Sequence, residues 1–168
     1  MPFGKDALLI GAQHGDYATL ATAGGTYFPG IGWKAPASTD DVNTADDAIF
    51  AITGKVAVSL LIGEVTTQIG ATCTSMSVNG AADNIVIATS LDIDGDAAGV
   101  LYWAEGDGTI LASSTTLAEV GNAVGSATLF IMNGINLDRR CDATMTAGRI
   151  LWECFYIPLE NAGTIATA

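Results

Sequence analysis

Two apolar runs, 48–52 and 56–62, stand on either side of Thr53-Gly54-Lys55 and set the pattern for the rest of the chain. Both are rich in β-formers and alternate with a period of two, which is the pattern of strands, and the Thr-Gly-Lys triplet has the composition of a tight reversal. The pattern predicts a hairpin at the centre of a packed sheet. In the second run Val56, Val58, Leu60 and Ile62 share one face, and Ala57, Ser59 and Leu61 share the other. Beyond Gly63 the large residues are Val65 and Ile69, in the opposite register. A bulge or bend is therefore expected at Gly63, letting one strand serve both sheets.

Further strands are expected at 74–78, 85–89, 99–104, 109–112, 127–132, 143–146, 149–157 and 164–167, separated by turn groups such as Asn79-Gly80, Asp94-Gly95-Asp96 and Asn133-Gly134. Many short strands with Gly and Asn turns signal an all-β sandwich or barrel. The stretch 150–157 is apolar on both faces except at Glu153, which places it inside a sheet, and Pro158 ends it. Residues 114–124 suit one helical turn with Leu117 and Val120 inward. Residues 1–46 differ: glycines recur at 4, 11, 15, 24, 25, 30 and 32, with Phe3, Tyr17, Tyr27, Phe28 and Trp33 among them. Dense glycine disfavours helix and the aromatics disfavour free disorder. The expected organisation is an extended N-terminal arm over 1–46, docked on its own domain or a neighbouring subunit, and a β-sandwich domain over 47–168.

Composition narrows the partners. The 168 residues carry 14% charged and 49% hydrophobic positions, and the mean hydropathy is +0.40. No apolar run approaches the roughly 20 residues that span a bilayer, so no membrane partner is expected, and much of the hydropathy is alanine. Ordinary soluble domains carry about 25% charge. So little charge is poor cover for a free monomer, which points to apolar area buried against other chains. Eighteen acidic residues face six basic ones, for a net charge of −12. Basic residues this sparse cannot displace counterions from phosphates, so nucleic acid is not an expected partner. The adjacent Arg139-Arg140 pair reads as a surface turn.

Candidate chemistry is thin. Three cysteines, Cys73, Cys141 and Cys154, lie far apart in sequence with no Cys-x-x-Cys pair, which argues against a disulfide framework or a zinc site. Cys154 alternates with Trp152 and Tyr156 and reads as a small buried apolar residue. The apolar stretch 7–10 is cut too early by Gly11 for a signal peptide, so synthesis in a reducing cytoplasm is expected. The single histidine, His14, has no companion nucleophile. Gly54-Lys55 lacks the hydroxyl residue and the upstream glycine of a P-loop. These absences predict a non-enzyme with no cofactor. Asp92, Asp94 and Asp96 alternate as calcium-loop aspartates do, but Gly95 comes one place early and Trp103 stands where the bidentate glutamate belongs. The plainer reading is an acidic hairpin loop, and Glu105 and Asp107 are solvated turn residues. Tyr102 and Trp103 suit sugar stacking, yet because they alternate, at least one should face the core.

Two segments carry a family resemblance. The first runs from Phe50 through Thr53-Gly54-Lys55 to Gly63-Glu64-Val65-Thr66-Thr67. The second comprises Gly148, Ile150, Trp152, Tyr156, Pro158 and Leu159 with the small-residue tail 164–168. Together they resemble the "Thr-Gly-(Gly/Lys), β-run, Gly-(Glu/Val)-Val-Thr-Thr" and "Gly-x-Ile-x-Trp…Tyr-x-Pro-Leu" patterns of tailed-bacteriophage structural proteins. The resemblance covers 47–168, most clearly its two ends, and carries over no active-site residue. It implies a capsid decoration (cement) protein on the outer shell of a virion, made in the host cytoplasm. Such a protein is a jelly-roll-like β-sandwich, assembled as a homotrimer and bound to the major capsid protein. On that reading Tyr17, Tyr27, Phe28 and Trp33 are the expected inter-subunit anchors, since aromatics dominate interface energetics. The alternative is a carbohydrate- or calcium-binding β-sandwich module, including a tail- or spike-associated one, using Trp103 and the loop of Asp92, Asp94 and Asp96.

Overall fold

The computed structural model describes residues 26–28, 32–42, 46–70, 72–80, 85–104, 112–114 and 130–168, which form a β-sandwich of two antiparallel sheets. The first sheet holds eight strands: β1 (Thr26–Phe28), β2 (Gly32–Lys34), β3 (Ser38–Asp41), β5 (Lys55–Thr67), β8 (Leu101–Trp103), β9 (Ala112–Ser114), β10 (Phe130–Asn133) and β12 (Arg149–Pro158). The second holds five in the order β13 (Thr164–Thr167), β4 (Asp46–Thr53), β11 (Leu137–Cys141), β6 (Met76–Gly80) and β7 (Ile85–Leu91).

The two longest strands, β5 and β12, form the spine of the first sheet, paired from Arg149↔Thr67 to Pro158↔Val56. The free side of β12 takes β3 along its first half and β2 near its end. The free side of β5 takes β10 near its start and β8 further on. As its sequence predicts, β12 is an interior strand: Ile150, Trp152, Cys154 and Tyr156 are fully buried on one face. They join Phe50, Leu61, Val78, Tyr102 and Ile165 in one core fed by both sheets.

The hairpin expected at Thr53-Gly54-Lys55 is instead a corner between sheets. β4 pairs with β11 and β13, whereas β5 pairs with β12, β8 and β10. Alternation reveals which face of a strand is buried and not which strand lies beside it, so two strands facing each other across the core look like a hairpin. Gly54 makes the corner with φ +64°, and the Lys55 amide donates to Glu160 Oε1 at 2.9 Å.

The change of register along β5 is real, but it occurs before Gly63. Val56 and Val58 are buried, then Leu61 and Val65. Leu60 stands opposite Phe155 and Val58 opposite Tyr156, leaving Ser59 as the extra residue of a bulge. The strand stays in the first sheet throughout. Gly63 instead makes room for a neighbour. It stands opposite Trp152, and a Cβ there would lie 2.8 Å from the indole ring.

Two further expectations change. Arg139-Arg140 is no surface turn but the middle of β11, which lies between β4 and β6. The strand expected at 143–146 is a bend region leading into β12. From the segment before residue 46, β3 pairs with 149–152 of β12, and β2 pairs with Phe155 and Tyr156, so both are built into the first sheet. Of the helical turn expected at 114–124, Ser114 is the last residue of β9; the rest of it and the strand start at 109–111 lie outside the described residues.

Candidate functional site

The alternation that turns Ile150, Trp152, Cys154 and Tyr156 inward turns Leu151, Glu153, Phe155 and Ile157 outward. Strand register extends this outer face into rows, because residues standing opposite each other share a face. Ile131, Ala57 and Ile157 form one row, and Leu60, Phe155 and Lys34 the next. Trp103, Ile62 and Glu153 form a third, and Leu101, Glu64 and Leu151 a fourth. The outer surface of this sheet is thus mostly apolar across β10, β5, β12 and β8. Ile131 is 65% exposed and Ile157 37%. Leu159, just past the end of β12, is also exposed, and its amide donates to the Lys55 carbonyl at 2.9 Å. Ala57 and Leu101 are buried here without belonging to the inter-sheet core.

Charge on this face is sparse and largely neutralised. Lys34 is ion-paired with Glu153 and lies 5.7 Å from the centre of the Phe155 ring, a cation–π approach. Asp46, Asp92, Asp94, Asp142 and Glu160 are exposed on the second sheet and on loops. Leu60, Ile62, Trp103, Leu151 and Phe155 are half-buried, so the exposed apolar surface of this face centres on Ile131, Ile157 and Leu159; clustered apolar residues on a surface mark interaction sites.

A second cluster lies inside the sandwich. Arg139, from the second sheet, reaches Asp40 of β3 in the first: Nε donates to Oδ2 at 2.6 Å and Nη2 to Oδ1 at 3.2 Å. Trp152 Nε1 also donates to Oδ2, at 3.3 Å. The side chains of Arg139 and Asp40 are 0% and 1% exposed. Burial pushes the Asp40 carboxyl up from its ordinary value, against the pull of its hydrogen bonds to Arg139 and Trp152. Burial acts to lower Arg139, but its bonds to Asp40 outweigh it and hold the guanidinium more firmly charged. Arg139 Nη1 also reaches Cys141 Sγ at 3.4 Å, and Cys141 packs against the same core that holds Cys73. The pair is a clamp between sheets, since both Asp40 oxygens are already engaged. The sequence holds one clue to it: in Leu137-x-Arg139-x-Cys141, and in Ser38-x-Asp40, the charged residue occupies the inward phase of an alternating strand.

The residues singled out as site candidates are dispersed. Trp33 is 4% exposed and packs into the chain's own core. Tyr27 and Phe28 lie in β1, opposite Trp33 and Gly32. Tyr17, His14, Glu105 and Asp107 lie outside the described residues. Asp92, Asp94 and Asp96 form a turn in which Asp92 Oδ1 accepts the Asp94 amide at 3.0 Å and Asp96 Oδ2 accepts the Tyr102 hydroxyl at 2.7 Å. Among the described residues no group of three or more His, Cys, Asp or Glu is placed to hold a metal ion. Tyr102 is the inward member of its pair, fully buried, and Trp103 the outward one. Gly148, Ile150, Trp152 and Tyr156, which carry the phage resemblance, serve packing: the last three are core, and Gly148 (φ +136°) packs against Ile69. Compared with protein-family models, curated proteins and solved structures, the chain matches none of them.

Proposed function

We propose that this chain is a structural virion protein of the capsid decoration type, a homo-oligomer, most simply a trimer, that binds a major capsid protein on the outer shell of a tailed bacteriophage. Its role is mechanical and involves no catalytic step. Burying apolar area and strand edges between subunits raises the work needed to separate them, since whatever binds only the assembled state stabilises it. The observation that carries the reading is the outer face of the first sheet, where Ile131, Ile157, Phe155, Leu60, Ile62 and Trp103 leave two-sided apolar strands with little charge between them. The sequence motifs at the two ends of the domain add the phage assignment.

The test is to purify phage particles produced by the host that carries this gene and quantify their proteins by mass spectrometry. The reading predicts that the chain is present at a copy number comparable to that of the major capsid protein and can be stripped without dissolving the shell. Its absence from particles, or its presence in only a few copies with the tail, contradicts the capsid assignment.

A further inference from the structure

Cys73 and Cys141 are distant in sequence, yet both lie at one core where the segment leading into β6 meets the end of β11. Gly70, Thr72, Thr74 and Ser75 are bonded to Ala147, Thr144 and Asp142. The Gly70 amide donates to the Ala147 carbonyl at 2.8 Å and the Thr72 hydroxyl to the Thr144 carbonyl at 2.9 Å. Asp142 accepts from the Thr74 hydroxyl at 2.6 Å, the Thr74 amide at 3.0 Å and the Ser75 amide at 3.2 Å. Cys73 is fully buried and Cys141 half-buried, with Arg139 Nη1 3.4 Å from Cys141 Sγ. Thr72, next to Cys73, has φ +117°, a strained conformation for a β-branched residue.

We propose that Cys73 and Cys141 are a redox-active pair that closes into an intramolecular disulfide, with Cys141 the sulfur that meets the oxidant. The co-reactant is a peroxide. The Cys141 thiolate attacks one peroxide oxygen, so that an S–O bond forms and the O–O bond breaks. Sulfur is oxidised to the sulfenic acid and the second oxygen leaves as hydroxide. The Cys73 sulfur then attacks Cys141, forming the S–S bond and breaking the S–O bond. The departing hydroxide takes the Cys73 proton and leaves as water. With hydrogen peroxide, two thiols and one peroxide give one disulfide and two waters.

The surroundings divide the roles. The hydrogen bond from Cys73 favours the thiolate on Cys141, as does the Arg139 guanidinium, and together they outweigh burial, so Cys141 is lowered from the ordinary thiol value. Cys73 is pushed up, first by its bond to Cys141 and then by burial, and keeps its proton until it attacks. Cys154 is also raised by burial and has no thiol neighbour of this kind. The disulfide would tie the segment leading into β6 to the end of β11 and cross-link a long stretch of chain. This proposal does not depend on the virion role.

The test treats the full-length wild-type protein with hydrogen peroxide and maps thiols and disulfides by mass spectrometry. The expected result is a Cys73–Cys141 link within one chain, Cys154 still reduced, and a higher unfolding temperature than after reduction. Carbamidomethylation of Cys141 should run roughly tenfold or more faster than that of Cys154. In Cys73→Ser the sulfenic acid should persist on Cys141 and be trapped by dimedone. A link through Cys154, links between chains only, both thiols intact after the peroxide is consumed, or equal alkylation of Cys141 and Cys154 would overturn the proposal. The wild-type map decides the matter even where a cysteine variant fails to fold.

Discussion

Arg139 and Asp40 come from opposite sheets, and both side chains are almost fully excluded from water. Removing one partner of such a pair leaves the other charge buried and uncompensated, which costs about 3–5 kcal/mol. Arg139→Met should lower the unfolding free energy by that amount in urea titration. Arg139→Met combined with Asp40→Leu should recover much of it, because two apolar groups remove the uncompensated charge. Additive losses in the double variant would contradict the clamp. This pair is illegible in the sequence for a physical reason. The partners stand 99 positions apart, and Asp138-Arg139-Arg140 has the composition of a solvated turn. Only the two-residue phase set by Leu137 and Cys141 marks Arg139 as inward. Trp152 is easier to place, since a large aromatic in an alternating run belongs in the core wherever its partner lies.

At the scale of elements, alternation reveals which stretches are strands and which face of each is buried. β12 and β13 are legible in this way, whereas β11 is hidden by its charges and the hairpin pattern gives β5 the wrong neighbour. The bulge at Ser59 shows why. A change of phase is visible in sequence, but its position depends on the facing strand, here Phe155 and Tyr156. The junction between 70–75 and 141–147 is likewise invisible locally, and it makes a pH-dependent prediction. The bond from the Thr74 hydroxyl, together with the Thr74 and Ser75 amides, holds the Asp142 carboxyl below its ordinary value. A carboxyl depressed in the folded state contributes stability above its unfolded value, and that contribution fades as pH falls through the folded value. Hydrogen-exchange protection of the Thr74 and Ser75 amides should therefore drop as the solution is acidified below the ordinary carboxylate range. In Asp142→Asn, protection should be lower at neutral pH and nearly flat over the same range. A wild type that keeps its protection through that range would contradict the assignment.

For the whole molecule, the arrangement of charge supports assembly. The net charge of −12 would oppose self-association if spread evenly. Among the described residues, the charges on the first sheet's outer face are two ion pairs, Lys34 with Glu153 and, towards one end, Arg149 with Asp41, together with Glu64 and Lys55. In the proposed assembly, exposed carboxylates on loops and on the second sheet would keep the oligomer soluble while this face is covered. The low charge content already points to burial against other chains. Which face is buried is not legible, because an outward isoleucine and an inward one look alike until sheet order is known. The aromatics expected to anchor that contact show the same ambiguity, and Trp33 is occupied in its own core.

The central claim is that the face bearing Ile131 and Ile157 is buried between copies of this chain. Its most direct test is multi-angle light scattering on the wild type and on Ile131→Glu/Ile157→Glu, with far-ultraviolet circular dichroism to confirm that both are folded. The account predicts a wild-type mass that is a multiple, most simply three times, of the 17.1 kDa chain, and a folded double variant shifted to monomer. A monomeric wild type, or a double variant with the same oligomeric mass, would contradict it.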